Sequence, residues 1–537
     1  MPAYDFDTVI RGGTIYDGDG GEPYAGDVAI KGDTIASVGP KIIGRGATEL
    51  DASGLAVGPG FINMLSWANE TLIADGRSMS DIKQGVTLEV MGEGSSMGPL
   101  NDVMKRERVE NQGDIKYDIE WTTLREYLEF LVTKGISCNV ASFIGATTVR
   151  VNVLGRNDVA PSPAQLENMQ NFVREAMKDG ALGVASALIY APAFYAKTEE
   201  LIALASAAAE YGGMYASHLR SEGDAFLDAL DEFIRIADES GARSEIYHLK
   251  VAGKANWSKM DQALNRIESA QQLGLPISAD MYMYSAAQTG LDVAMPPWVQ
   301  EGGLRSWIER LKQPEIRARV ISEMETPSDK WENGYLHASA DGAILVGFNK
   351  LKQYTGKTLA QIAAERGTSP AETAIDMVIE DESRVETVYF WMSEDNIKKQ
   401  LVKPWISVGS DGSSLAPEGV FLKSSTHPRA YGNVARFLGR YVRDEKLMSL
   451  QEGIRRLTVL PATNLRLKNR SALKIGYFAD VVIFDPNKIE DRATFENPHQ
   501  YSVGMHHVFV NGTQVLRDGE HTGATPGRVV LGPGART

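Results

Sequence analysis

Two histidines carry the clearest chemical pattern. His218 closes the apolar run "GGMYASHL" and His248 closes "SEIYHL", 30 residues further on. That spacing is one strand plus one helix. At the C-terminal ends of neighbouring parallel strands the two imidazoles converge on one point, as metal ligands do. A single strand-end histidine is more often a hydrogen-bonded structural residue; a matched pair is harder to explain that way. Asp411, in "WISVGSDGSS", ends another apolar run and faces the same place. It suits a metal ligand or a base for a metal-activated water, although "SDG" also makes turns and helix caps. Glu93 sits between two glycines in "LEVMGEGSSMGP", where a carboxylate ligand and a solvated turn both fit. Lys250 lies two residues after His248, on the same face of that strand. Tyr190, Tyr282 and Arg429 fall at strand ends or just beyond, where phenols and a cation could hold a carbonyl or a carboxylate.

These residues need a scaffold of parallel strands. Apolar runs ending near Met64, Gly92, Gly145, Leu188, Leu219, Lys250, Tyr282, Met392 and Asp411 alternate with helical patterns. Nine candidates exceed an eight-strand barrel by one, so at least one is misassigned or extra. The helix start signals are explicit: "SPAQLENMQNFVREAMKDG" offers Ser162 as cap, Pro163 at the first helical position and Gly180 as a stop. Both ends of the chain read as short strands split by glycine turns. The expected architecture is α/β: a (β/α)8 TIM-like barrel over 59–467, and a small β-sandwich made by 1–58 together with 468–537. An insertion over 285–345 would sit over the barrel mouth as a lid.

The bulk composition narrows the class. Lys plus Arg is 55 against 70 Asp plus Glu, a net charge of −15, which argues against nucleic acid or an anionic membrane as partner. The one cysteine, Cys138 in "ISCNVASFIG", excludes an internal disulfide and reads as a core thiol. No signal peptide is visible at "MPAYDFDTVIRGG" and no apolar run is long enough to span a bilayer, so a cytoplasmic location is expected. A homo-oligomer is left open.

The chain resembles the D-aminoacylase (N-acyl-D-amino-acid deacylase) branch of the amidohydrolase superfamily. The resemblance runs through "VIRGGTIYDGDG", "GLAVGPGFI", "QGVTLEV", "LIYAPAFYAKTEEL", "SHLRSEG", "HLKVAGK", "GSDGSS", "THPRAYGNVARFLGRYVR" and "GYFADVVIFDP". It implies His218 and His248 as metal ligands and Asp411 as general base or as a ligand to a second metal. Glu93 takes the place of the family's cysteine ligand if one residue is deleted, which brings Pro99 into register. Family members usually read "PGFID" followed by His-x-His. Here Asn63 replaces the Asp, and Leu65 and Trp67 fill the histidine positions. The family's "GHGTLR" histidine is replaced by Ala146, while Arg150 remains.

Leu and Trp offer zinc no lone pair, so the expectation is one zinc held by Glu93, His218 and His248, with Mn, Co or Fe able to use the same atoms. Asp411 would move the proton, and Lys250, Tyr190, Tyr282 and Arg429 would hold the substrate. Trp67 would line the mouth and stack on an apolar acyl group. The implied activity is hydrolysis of a small-molecule amide, first an N-acyl-D-amino acid. Alternatives are a dipeptidase, a cyclic-amide hydrolase, a natural-product amide hydrolase, or a degenerate barrel that only binds.

Overall fold

The computed structural model describes residues 4–536. Both ends of the chain meet in one nine-stranded sheet. The strand Ala56–Pro59 is the junction: it pairs parallel with Phe6–Ile15 and antiparallel with Val481–Phe484. Ile10, Val28, Val57, Val481, Ile483 and Phe509 form its core. Such alternating β-branched and aromatic residues suit a half-buried pleated surface.

One residue further on, at Gly60, the chain leaves this sheet for a second layer of parallel strands. A Cβ at Gly60 would lie 2.1 Å from Thr87 Oγ1, so only glycine fits the crossing. Phe61–Asn63, Val86–Met91 and Asn139–Ser142 form one parallel sheet. Ile144–Gly145, Gly183–Ala187, Met214–His218, Arg243–Ile246, Ile277–Met281 and Ile406–Val408 form another. Main-chain bonds cross both seams. Phe143 N donates to Met91 O at 2.9 Å; on the other side Asp411 N donates to Leu65 O and Trp67 N to Gly412 O, both at 2.9 Å. The parallel strands therefore fit a barrel. Ile62, Met64, Leu65, Val90, Phe143, Ala185, Ala216 and Tyr247 pack together inside.

The helices between strands follow their sequence signals. Ser162 caps Pro163–Lys178 by accepting from Gln165 N, and Gln165 returns the bond. Phe226–Ser240 buries Phe226, Leu230, Phe233 and Ala237 at three- and four-residue spacing. No helix among the described residues is long and apolar enough to cross a membrane. Cys138 is buried, and burial pushes its thiol well up, the reverse of an activated nucleophile.

The ninth strand candidate, ending near Met392, belongs elsewhere. Glu386–Tyr389 pairs antiparallel with Ala287–Gly290 and Ala343–Gly347, in a three-stranded sheet of its own. A short β-branched run states that it is a strand and not which strand it joins. Between the last two strands run the helices Leu304–Leu311, Pro314–Met324 and Gly334–Ala338.

Glu89 and Asp81 are buried carboxyls beneath the mouth. Burial raises Glu89 from an ordinary 4.5 to about 7, although Ser66 Oγ donates to it at 2.8 Å. A folded-state value above the unfolded one gives stability that is complete below pH 4.5 and lost as pH climbs through 7. Glu89→Gln, similar in shape and never charged, is expected to flatten the fall in Tm between about pH 4.5 and 7. Thermal unfolding at both ends of that range checks it, and an unaltered slope would exclude Glu89 as the cause.

Candidate active site

Glu93 follows the strand Val86–Met91 on a backbone that turns sharply. Gly92 has φ +106° and Gly94 φ +62°, values that L side chains rarely adopt. A Cβ at Gly92 would lie 2.4 Å from Phe143 O, and one at Gly94 2.6 Å from Ala187 Cβ. The glycines let the turn press against its neighbours and deliver the buried Glu93 side chain to the cavity.

His218 is the last residue of its strand; His248 lies two residues beyond the strand Arg243–Ile246. His248 has φ +34° and Asp411 φ +50°, left-handed conformations that cost a non-glycine residue roughly 1–3 kcal/mol. At His248 the turn is held by Asp280, whose Oδ1 accepts the His248 N–H at 2.9 Å. Such strain persists only where the surroundings enforce it, and both residues line the cavity.

The convergence is close. Glu93 Oε1 lies 3.1 Å from His218 Nδ1 and 2.9 Å from His248 Nε2. The imidazoles meet edge to face, centroids 4.5 Å apart. One ligand atom from each of the three residues falls within 4.8 Å of the others, all buried. Burial opposes ionisation of Glu93, yet the two histidines hold its carboxyl well below the usual range.

The outer nitrogens of both rings meet a residue that sequence reasoning missed. Glu222 Oε1 lies 3.2 Å from His248 Nδ1 and 3.5 Å from His218 Nε2. Lys250 Nζ is 2.7 Å from the same oxygen and 2.7 Å from His248 Nδ1. Burial resists the charge on Glu222, but His218, Lys250 and His248 draw its carboxyl down to about 2. A carboxylate behind a ligating imidazole fixes ring orientation and tautomer. The signal was available in "SHLRSEG", where Glu222 stands four residues after His218. Glu332, from the segment between the antiparallel strands, accepts from Glu222 N at 3.0 Å and Ser221 Oγ at 3.1 Å and pins this loop. Glu222→Gln is expected to weaken metal binding by about 10–100-fold, read by competition with a chromogenic chelator.

On the other side stand Trp67, Asp411 and Arg429. Trp67 Nε1–H donates to Glu93 Oε2 and to Asp411 Oδ1, both at 3.0 Å. Arg429 reaches Asp411 Oδ2 at 2.8 Å and lies over the Tyr282 ring at 4.6 Å. His427 sets the Arg429 backbone: its Nδ1 accepts the Arg429 N–H at 3.0 Å while its Nε2 donates to Ala286 O. Burial and the neighbouring Arg429 hold His427 well below the usual imidazole range, so it stays neutral.

Trp67, Glu93, Tyr190, His218, His248, Lys250, Asp411 and Arg429 all line one cavity of about 910 Å³, together with Glu222 and Arg384. Tyr190 sets its ring edge against His218 and donates its hydroxyl to Thr289. Tyr282 is not among the lining residues. It is fully buried, its hydroxyl donates to Met392 Sδ, and its ring supports Lys250 and Arg429 from behind. Leu65 is core, and Ala146 is the buried first residue of the helix Ala146–Leu154. Arg150 pairs with Glu200 at 2.5 Å, both buried.

This fold and its Glu–His–His cluster define a class. Residues 48–516 match the Amidohydrolase family, and the chain belongs to it. Within that family it is 31% identical over 529 residues to the D-aminoacylase of Alcaligenes xylosoxydans xylosoxydans, covering 98% of this chain and 97% of that one. It is 31% identical over 533 residues to the same organism's N-acyl-D-aspartate deacylase, covering 98% and 95%. Among solved structures, a D-aminoacylase studied for its binuclear metal centre, with one-metal activation and second-metal attenuation, superposes with a TM-score of 0.81 at 29% identity, over 98% of this chain and 100% of the other. The N-acyl-D-glutamate deacylase of Bordetella bronchiseptica, complexed with zinc and a phosphonate mimic of the tetrahedral intermediate, gives 0.80 at 28%, over 98% and 99%.

Proposed function

We propose that this protein is a metal-dependent hydrolase that removes the acyl group from an N-acyl-D-amino acid. The observation that carries this reading is the buried convergence of Glu93, His218 and His248 within 4.8 Å. One carboxylate and two imidazoles suit zinc with a fourth position open to water, and Mn, Co or Fe could use the same atoms. The relatives' activities and the zinc complex of the deacylase from Bordetella bronchiseptica support the choice. The scaffold we assign is a closed (β/α)8 barrel over 59–467 with the insertion 285–345 over its mouth. Residues 1–58 and 468–537 form the small β-sandwich domain.

Glu93, His218 and His248 would hold the metal, which when bound would supply Lewis-acid polarisation of a carbonyl and a lowered pKa for water. The chain's own groups do the rest. Asp411 takes the proton from the water as its oxygen bonds to the amide carbon. It returns that proton to the nitrogen as the C–N bond breaks, leaving a carboxylate and an amine. Arg429 and Trp67 hold the Asp411 carboxylate in place through one oxygen each. Lys250, Tyr190 and Arg429 line the cavity and hold the carbonyl and carboxylate oxygens, with Tyr282 acting through the two cations it supports. The exposed face of Trp67 meets the acyl group.

A cavity of about 910 Å³ is large for so small a substrate, which favours a second reading: a longer amide such as a dipeptide or an acylated natural product. Amine release from matched N-acyl-D- and N-acyl-L-amino acids, dipeptides and cyclic amides tests both. Preference for the D-acyl series is expected. Release from dipeptides alone supports the second reading, and release from nothing, with metal bound, overturns the hydrolase.

A further inference from the structure

We infer that the indole N–H of Trp67 stands where a second metal ion would otherwise sit, bridging Glu93 and Asp411 and confining the centre to one ion. This rests on the reading of Glu93, His218 and His248 as the site of the first ion. The two acceptors of the indole are not incidental. A tryptophan at a cavity rim ordinarily presents its ring and gives its N–H to any nearby acceptor. Here one N–H is shared between two carboxylates, 3.0 Å from Glu93 Oε2 and 3.0 Å from Asp411 Oδ1.

The division of oxygens is consistent with this. Glu93 turns Oε1 to the two histidines and Oε2 to the indole. Asp411 turns Oδ2 to Arg429 and Oδ1 to the indole. The two carboxylates turn one oxygen each to the same N–H, and like charges sharing one donor favour a positive group between them. In a two-metal centre that group is a cation with oxygens at about 2.0–2.2 Å. An indole nitrogen 3.0 Å from both oxygens fills the gap with the positive end of a dipole instead. Leu65, the other residue on this strand end, is packed in the barrel interior and supplies no donor. Trp67 is thus a positioning residue: it fixes the Asp411 oxygen that faces the cavity.

Zinc stoichiometry separates this from a packing role. Purified protein dialysed against rising zinc is expected to hold one ion per chain, with no second equivalent up to about 1 mM free zinc. Trp67→His would give the outer place an imidazole beside Glu93 Oε2 and Asp411 Oδ1, and is expected to bind two. Trp67→Phe keeps the ring and loses the donor. It is expected to lower kcat at least tenfold with KM within about threefold. A second tightly held ion in the unaltered protein overturns this inference and leaves the hydrolase reading standing. A folded Trp67→His that still binds one ion overturns it too, as does a Trp67→Phe with kcat unchanged. No ion in the unaltered protein removes both readings. The stoichiometry of the unaltered chain needs no variant, so a Trp67→His that fails to fold does not rescue the inference.

Discussion

Asp411→Asn is expected to lower kcat by about 10²–10⁴-fold, the range a positioned proton-transfer group contributes. The amide nearly matches the carboxylate in shape and can still accept the Trp67 N–H through its one oxygen. It cannot take a proton from water, and its NH₂ would face Arg429, which now lies 2.8 Å from Asp411 Oδ2. Metal content should stay at the level of the unaltered protein, because Asp411 is not one of the three converging residues proposed to hold the ion. Parallel measurement of kcat and bound zinc checks both halves. Activity that survives unchanged removes Asp411 from the proton path; loss of metal would make it a ligand instead.

The second large effect is expected from His218→Ala. It removes one of the three proposed ligands and strips Glu93 of one of the groups that hold its charge in a buried place. Zinc after dialysis should fall to near zero and amide hydrolysis with it. Bound metal also stabilises the folded state, by about 4 kcal/mol when the free ion exceeds Kd a thousandfold. Added zinc should therefore raise the Tm of the unaltered protein and leave His218→Ala where it was. A variant that keeps a full complement of zinc would take His218 out of the site.

The two histidines were legible because a strand's period puts its last residue at a predictable place, and parallel strands bring such ends together. Glu93 was legible as a turn and ambiguous as a ligand, since glycines on either side serve both. Glu222 was overlooked although it lies four residues from His218, because nothing in a loop announces which nitrogen it will face. Tyr282 was read as a substrate contact; the chain puts it behind the cavity wall, where its ring carries two cations. Glu386–Tyr389 read as a ninth parallel strand, and its partners proved antiparallel.

What the sequence determined by itself is the set of donors and the strand ends that present them: two imidazoles 30 residues apart, Asp411 before a glycine, Glu93 between two. Periodicity and turn chemistry are local properties, and they suffice for that much. Only the tertiary structure decided what each donor meets. Glu93 shares one oxygen between two histidines and gives the other to Trp67; Glu222 stands behind both rings; Arg429 and Trp67 divide the oxygens of Asp411. These contacts join residues more than a hundred positions apart in several cases. Hydrogen bonds of this kind depend on distances of a few tenths of an ångström and on angles set by packing, which no local pattern encodes.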